Sequence, residues 1–384
     1  VALQPQTQLL HQEHWPTTGF DSVQPGVFRA STVFFPDMAA WRQRDWLSKD
    51  RFIYGPHGTP TTFELEARIA HLEGAAHALL CASGLNAIAL VHMALLRPGD
   101  EVVVPINVYP AHRALLTGEL ASWGIQVALY DPTDLSTLRI GEATRLVWVE
   151  APCSITMEFP DVPAIAAAAR QAGVLTALDN TWGAGVAFCP FDLGIDISAQ
   201  ALTKYANGAG DVVMGSVSVR DKSLYDALKR CSARFGLHVP AGEAEAVLRG
   251  LQSLAVRYAA HDRTGRLLAR HLAGSGAVVE VLHPALPGAC GHEFWQRDCR
   301  AAAGIFSVVF DAKYSQQDID GFIDALQLFR IGFSWGGPVS LVLSYGRDVA
   351  SLRPLAGELV RFSAGLEAPE DLLDDLSQAL ALLL

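Results

Sequence analysis

The chain has 384 residues, half of them apolar and 18% charged, so it can bury a large core, and its length points to two or three domains. Against 40 Asp and Glu stand 29 Lys and Arg, a formal charge of −11 that disfavours non-specific binding to nucleic acid or an anionic membrane but leaves room for a local basic pocket. An apolar fraction at the upper edge of the soluble range points to a larger core or to surface hidden between subunits.

Residues 1–58 are rich in Gln, Pro, His and aromatics with little periodicity, and read as an arm ordered by packing on something else. Val1–His14 carries polar Gln and His where a secretory leader needs an apolar run, so a cytoplasmic protein is expected. Leu85–Leu96 and Leu376–Leu384, the most apolar stretches, fall far short of the ~18–20 residues of a membrane helix. Thr61–Gly74 is predicted as a helix with the stripe Phe63, Leu65, Ile69, Leu72 and Gly74 as its stop. Short apolar strands follow at Glu101–Pro105, Gln126–Tyr130, Arg145–Glu150, Val174–Asp179 and Val212–Val219, separated by Ala-rich helical stretches such as Val162–Gly173. That alternation predicts a mostly parallel sheet covered on both faces, with ligands bound outside the carboxyl ends of its strands.

Beyond about residue 250 the pattern changes. A long helix is expected over Leu251–Leu272, then strands at Ala277–Leu282, Gly304–Phe310 and Val339–Ser344 and helices at Gln316–Leu328 and Glu370–Leu383. The expected division is an arm, 1–58; an α/β domain, 59–250; and a smaller α+β domain, 251–384. Cys81, Cys153, Cys189, Cys231, Cys290 and Cys299 are scattered and form no CxxC, which reads as free thiols in a reducing compartment. Cys290, His292 and Cys299 match no zinc spacing, so no metal is expected.

Three segments carry chemistry when taken together. Asp179, in Leu-Thr-Ala-Leu-Asp179-Asn-Thr-Trp182, ends an apolar strand and there needs a cationic partner, although alone it reads equally as a turn cap. Lys204 follows Ile197–Thr203 and precedes a small-residue loop; an apolar setting would depress its pKa and fit it for a Schiff base, whereas a lone lysine is more often on the surface. Ser83-Gly84 opens an apolar helix and can aim backbone N–H groups at a phosphate, or simply cap the helix. A phosphate cradle, a Schiff-base lysine and a buried carboxylate are the protein parts that pyridoxal phosphate requires. Tyr109, after the strand Glu101–Pro105, adds an aromatic face.

At these residues the chain resembles the Cys/Met-metabolism family of pyridoxal-phosphate enzymes, over nearly its whole length. The matching segments are Tyr54-Gly-Pro-His-Gly58-Thr-Pro-Thr, Ser83-Gly84, Asp179-Asn-Thr-Trp182, Leu202-Thr203-Lys204-Tyr205, Arg249-Gly-Leu251, His283-Pro-Ala-Leu-Pro-Gly288 with Gly291-His-Glu-Phe-Trp295, Ser334-Trp335-Gly336-Gly337 and Arg361-Phe-Ser-Ala-Gly365-Leu-Glu367. The resemblance implies an aspartate-aminotransferase-like, fold type I α/β architecture with a mostly parallel central sheet and a smaller α+β C-terminal domain. It implies pyridoxal 5′-phosphate held as a Schiff base by Lys204, which also moves the Cα proton. It makes Asp179 the partner of the pyridine nitrogen, Tyr109 the stacking ring, and Ser83, Gly84, Leu85 and Thr203 the phosphate cradle. Arg361 with Ser334 and Trp335 would grip the substrate carboxylate, and Tyr54 would reach the cofactor of a neighbouring subunit in a dimer with shared sites, paired into a tetramer.

The chain departs from the family pattern where an arginine usually follows the tyrosine by two positions: here Pro56 stands, and then His57. Either His57 or amides and hydroxyls alone would then serve the phosphate. Val339 replaces an acidic residue common in relatives, and the segment before Arg249 lacks a common tyrosine. Glu150–Glu158, with Ser154 at the family's usual asparagine, and Ser334-Trp335 resemble the β-eliminating branch. That branch implies conversion of cystathionine to homocysteine, pyruvate and ammonia in methionine biosynthesis. The alternatives are the family's γ-lyase or γ-synthase chemistry, a broad cysteine-S-conjugate or cystine β-lyase, and a non-catalytic relative.

Overall fold

The computed structural model describes residues 5–10 and 22–383. A seven-stranded sheet comprises β1 (His77–Cys81), β2 (Glu101–Pro105), β3 (Gln126–Tyr130), β4 (Thr144–Glu150), β5 (Leu175–Asp179), β6 (Ile197–Gln200) and β7 (Gly215–Val219), in the spatial order β1-β7-β6-β5-β4-β2-β3. β3, β2, β4, β5 and β6 are parallel, and β7 runs against both its neighbours, β6 and β1. The predicted mostly parallel sheet is present, with β2 and β3 at their expected bounds. Alternate residues of β2 and β4 enter two different cores: Val103, Val147 and Val149 face one helix layer, and Val102, Val104, Leu146 and Trp148 the other. That two-sided burial is why these strands read as continuous apolar runs.

A second, five-stranded sheet holds β8 (Val278–Leu282), β9 (Ile305–Phe310), β10 (Arg330–Ile331), β11 (Leu341–Gly346) and β12 (Leu359–Ser363), ordered β10-β11-β12-β9-β8. The helix Pro60–Glu73 matches expectation: Thr59 and Thr62 cap it reciprocally, Pro60 opens it, and Gly74 closes it in the left-handed region. The long helix runs Ala241–Ala273, ten residues earlier than its predicted start at Leu251. Gly242 and Gly250 hid that extension, and Gly250 has a packing reason, since a Cβ there would stand 2.2 Å from the Asn207 carbonyl oxygen. Leu248, Leu251, Leu254 and Tyr258 pack in the large-sheet core, and Leu268, Ala269 and Leu272 in that of the second sheet. Position 250 therefore lies inside a continuous helix, and the change of packing partner falls beyond Tyr258.

β6 escaped prediction because its buried residues are half polar. Ser198, Gln200 and neighbouring Asn180 all donate to Oε1 of the fully buried Glu73, at 2.7, 3.2 and 2.9 Å. The carboxylate takes the place of apolar packing and ties the helix Pro60–Glu73 to the strands behind Asp179. In the arm, Leu9 packs into the large core, but Phe34 is 91% and Val23 80% exposed. The six cysteines are free thiols. Among the described residues no helix is long and apolar enough to cross a membrane, and no group of three or more His, Cys, Asp or Glu side chains could hold a metal ion.

His92 and His112 lie fully buried against Trp148, with their Nε2 atoms 2.7 Å apart, so one ring must donate and the other accept. Burial lowers His92 to about 3 and holds His112 well below its ordinary value. The folded chain keeps both neutral while the unfolded chain protonates them below about pH 6.5, so their contribution to stability is full above that pH and is lost as pH falls toward the folded values. Acidification from pH 7 to 5 should therefore destabilise the wild type more than His92→Leu, by on the order of 2 kcal/mol, read from urea unfolding at each pH.

Candidate active site

Four parallel strands and β1 deliver the site. Ser83 and Gly84 follow β1, Tyr109 follows β2, Glu150 ends β4, Asp179 ends β5, and Lys204 follows β6. All stand at carboxyl ends, the side on which an open α/β sheet binds its ligand. They line one cavity of about 370 Å³ with Leu85, Ser154 and Thr203, closed from the second sheet by Ser334, Trp335, Tyr345 and Arg361. The volume lies in the range of small-ligand sites.

At one end, Ser83 caps the helix Gly84–Leu95, its Oγ accepting the Asn86 N–H at 3.0 Å. The Gly84 and Leu85 amides occupy the first helical turn, where no intrahelical acceptor exists, and are placed for an anion. Gly84 has no room for a side chain: a Cβ would lie 2.5 Å from that of Ala201. The Thr203 hydroxyl, at the same wall, both accepts from and donates to the backbone of Met214, at 3.0 and 3.1 Å, and so fixes the loop carrying Lys204.

In the middle, Asp179 accepts the Thr181 N–H at 2.9 Å; burial raises its pKa, opposed by Thr181 and the nearby Lys204. Glu150, which the sequence reading passed over, sits beside it in register on β4. Its Oε1 accepts the Tyr109 N–H at 2.9 Å, and its Oε2 is buried without a partner. Burial and the neighbouring Asp179 hold Glu150 well above the usual carboxylate range. Glu150 is thus pushed the more strongly toward its neutral form, while the Thr181 donors and Lys204 favour the charged form of Asp179. The signal that found Asp179, an acid ending an apolar strand, applies equally to Glu150.

Lys204 Nζ donates to Ser334 Oγ at 2.7 Å and lies 5.6 Å from the Trp335 ring centre. Burial, reinforced by Arg361 and opposed by Asp179, lowers its pKa to about 8. Ser334 holds a left-handed backbone, φ 94°, unusual for a residue with a side chain and maintained here by the surrounding loop. Arg361, on β12, is 8% exposed, and its guanidinium has no oxygen acceptor among the described residues; the Tyr345 ring centre lies 4.8 Å from its Cζ.

Tyr54 and His57 do not join this cavity in the chain; they line a separate one of about 420 Å³. The His57 Nε2 meets the Ser48 carbonyl at 3.1 Å, and its ring packs on Phe63 and Trp46. Burial and Lys229 lower its pKa, so it supplies no fixed cation. Tyr54 is 42% exposed on the arm. The cavity itself fits pyridoxal phosphate: unpaired amides at a helix start, the Tyr109 face, a charged acid at depth and a desolvated amine opposite.

Comparison with known proteins agrees with this fit. The sequence profile of the Cys/Met metabolism PLP-dependent enzymes matches residues 6–381. A cystathionine beta-lyase of Bordetella avium is 38% identical over 95% of this chain and 93% of its own. An L-alanine/L-glutamate racemase of Wolbachia pipientis is 32% identical over 94% and 93%. The crystal structure of cystathionine gamma synthase from Xanthomonas oryzae pv. oryzae, with aminoacrylate and cysteine, superposes with a TM-score of 0.91, at 28% identity and coverage of 100% and 99%.

In the apoprotein, acylation of the Lys204 amine should titrate near pH 8, read by peptide mass after pulsed labelling. Asp179→Asn removes an attraction for the charged amine and should shift that midpoint down; Arg361→Ala removes a repulsion and should shift it up.

Proposed function

The chain belongs to the Cys/Met metabolism PLP-dependent enzymes, and from that premise we propose that it cleaves the Cβ–S bond of a sulfur amino acid, with cystathionine giving homocysteine, pyruvate and ammonia. The observation that carries the reading is Arg361: a buried guanidinium without an acceptor, in the same cavity as a desolvated lysine. Such a fork left unpaired is costly unless a ligand carboxylate completes it. Cleavage on the β side is favoured by Ser154 at the cavity wall and by the sequence of the Glu150–Glu158 loop.

Pyridoxal phosphate, when bound, serves as the electron sink that makes the Cα–H bond acidic. The chain's residues do the rest. The amides of Gly84 and Leu85 with the Ser83 hydroxyl would hold the phosphate, Thr203 would join them only by turning its hydroxyl from the Met214 carbonyl, and Tyr109 would cover the ring face. Asp179 would partner the pyridine nitrogen, its charged form favoured by the Thr181 donors and Lys204. Arg361 fixes the substrate carboxylate and so sets the direction of the Cα–H bond. Lys204 Nζ, its pKa lowered to about 8, takes the Cα proton near neutral pH, and Ser334 Oγ orients that amine. Trp335 shields the amine from water.

We place Tyr54 and the exposed apolar arm against a second copy in a homodimer with shared sites, the dimers pairing into tetramers, in the cytoplasm; the exposure of Phe34 and Val23 supports the reading. The structural division we favour is an arm, a cofactor domain and a smaller C-terminal domain joined by the continuous helix Ala241–Ala273.

Purified enzyme given cystathionine should release pyruvate; 2-oxobutyrate instead would mark γ-cleavage, and a D-amino acid without keto acid would mark racemisation. Lys204→Ala should lower kcat by at least ~10²–10⁴-fold and remove the near-visible Schiff-base absorption. Arg361→Ala should mainly raise KM, with a loss in kcat/KM of about 2–5 kcal/mol.

A further inference from the structure

The face of the second sheet that meets the cavity is set by register. Leu343, Arg361 and Ser307 stand opposite one another across β11, β12 and β9. Ser307 Oγ donates to the Ile155 carbonyl at 2.6 Å, so this face looks onto the loop that follows β4. The other face, with Val342, Phe306 and Phe362, is the domain's own core. Arg361 thus points out of its domain and into the site.

Beside it the β11–β12 ladder is irregular. Ser344 pairs with Val360 and Gly346 with Leu359, so Tyr345 is an extra residue with no partner in the register. Gly346 has φ +78°, a conformation that glycine adopts freely and residues with a Cβ do not. A bulge of this kind bends the strand and re-aims the extra side chain. Here it brings the Tyr345 ring centre to 4.8 Å from Cζ of Arg361. A guanidinium over an aromatic face is attracted by the ring quadrupole, and more strongly when it is desolvated; here Arg361 is buried and Tyr345 half-buried.

The same ring borders two spaces. It lines the 370 Å³ cavity and also a groove of about 850 Å³ whose walls carry Asp320, Asp324 and Glu358. Glu358 is engaged on the groove side by Ser344 Oγ at 2.6 Å and by Arg347 at 3.9 Å, which leaves Asp320, Asp324 and Asp348 as the groove's carboxylates without a cation partner among the described residues. A carboxylate reaching Arg361 from that groove would compete with any substrate. The ring occupies the boundary and holds the guanidinium without using its N–H donors.

We propose that Tyr345 is the positioning residue for substrate recognition: placed by the bulge at Gly346, its ring backs the Arg361 guanidinium, separates it from the acidic groove, and leaves its donors free for an α-carboxylate. The proposal rests on Arg361 being the carboxylate site. An aromatic ring is the one kind of side chain that meets these demands together, because it attracts the cation without accepting its hydrogen bonds in the plane of the fork.

The test uses the holoenzyme and 3,3,3-trifluoropropionate, a carboxylate with no amine to react with the cofactor, whose dissociation constant is read by fluorine NMR. Alongside it, KM and kcat are measured with cystathionine. Tyr345→Leu should weaken trifluoropropionate and raise KM by about 2- to 30-fold while kcat stays within about twofold. Tyr345→Phe should behave as wild type. Gly346→Ala should shift both constants in the same direction as Tyr345→Leu; its Cβ would meet Glu358 only at 3.9 Å, so the disturbance is of the bulge backbone and not a clash. Wild-type binding by Tyr345→Leu, with loss of binding by Arg361→Ala, overturns the role of Tyr345. A Tyr345→Phe enzyme as weak as Tyr345→Leu shows that the hydroxyl acts and overturns it as well. Unchanged binding by Arg361→Ala overturns instead the carboxylate reading on which it rests.

Discussion

Parallel strands that end along one edge of a sheet bring whatever follows them into a common space. Here β1, β2, β4, β5 and β6 end together, and their last or next residues are Ser83 and Gly84, Tyr109, Glu150, Asp179 and Lys204. Each of these side chains comes from a different part of the chain, and none could meet the others without the sheet. The supporting contacts serve that alignment. Glu73 gathers Asn180, Ser198 and Gln200 behind Asp179, and the contact between Gly250 and the Asn207 carbonyl seats the loop after Lys204 on the long helix.

Crowding these groups into a dry cavity gives them their chemistry. Desolvation penalises every charge, so the pattern of neighbours decides which groups remain ionised. Glu150 and Asp179 cannot both keep a charge cheaply at adjacent strand ends; burial raises the pKa of both, Glu150 the more strongly, and the Thr181 donors together with Lys204 oppose the rise at Asp179. Lys204 is pressed toward its neutral form by burial and by Arg361, while Asp179 limits the fall. The amine is thereby poised near neutral pH, where it can both hold and release a proton. Burial lowers the pKa of Arg361 too, but a guanidinium starts so high that it stays charged in the same space.

The second sheet closes the cavity with a different logic. It contributes no strand ends but one outward face, and from it Arg361 reaches the cavity. Ser334 in a left-handed conformation and Tyr345 in a bulge are both backbone irregularities, and both lie against cations of the cavity: Ser334 on Lys204, Tyr345 on Arg361. Regular strands present side chains at fixed intervals, so a group needed between those intervals requires a departure from the ladder.

Much of this was legible from residue order. The apolar runs of β2, β4 and β5 mark buried strands because both faces are covered. Asp179, Lys204 and Ser83-Gly84 stand out because polar groups at the ends of such runs are exceptional, and the ordered segments around them identify the family and its cofactor. Less visible were β6, whose polar residues serve Glu73; β12, where Arg361 interrupts the apolar pattern; and the first turns of the long helix, masked by glycines that exist for packing. What the chain by itself determined was the parallel sheet, the family and the identity of the central lysine and acid, since those follow from local pattern and spacing. Only the tertiary structure decided that Glu150 stands beside Asp179 at adjacent strand ends, that His57 turns inward onto Ser48, and that a bulge sets Tyr345 beside Arg361. Each of these depends on strand register and on burial between segments distant in sequence, and neither quantity is written in any local stretch of residues.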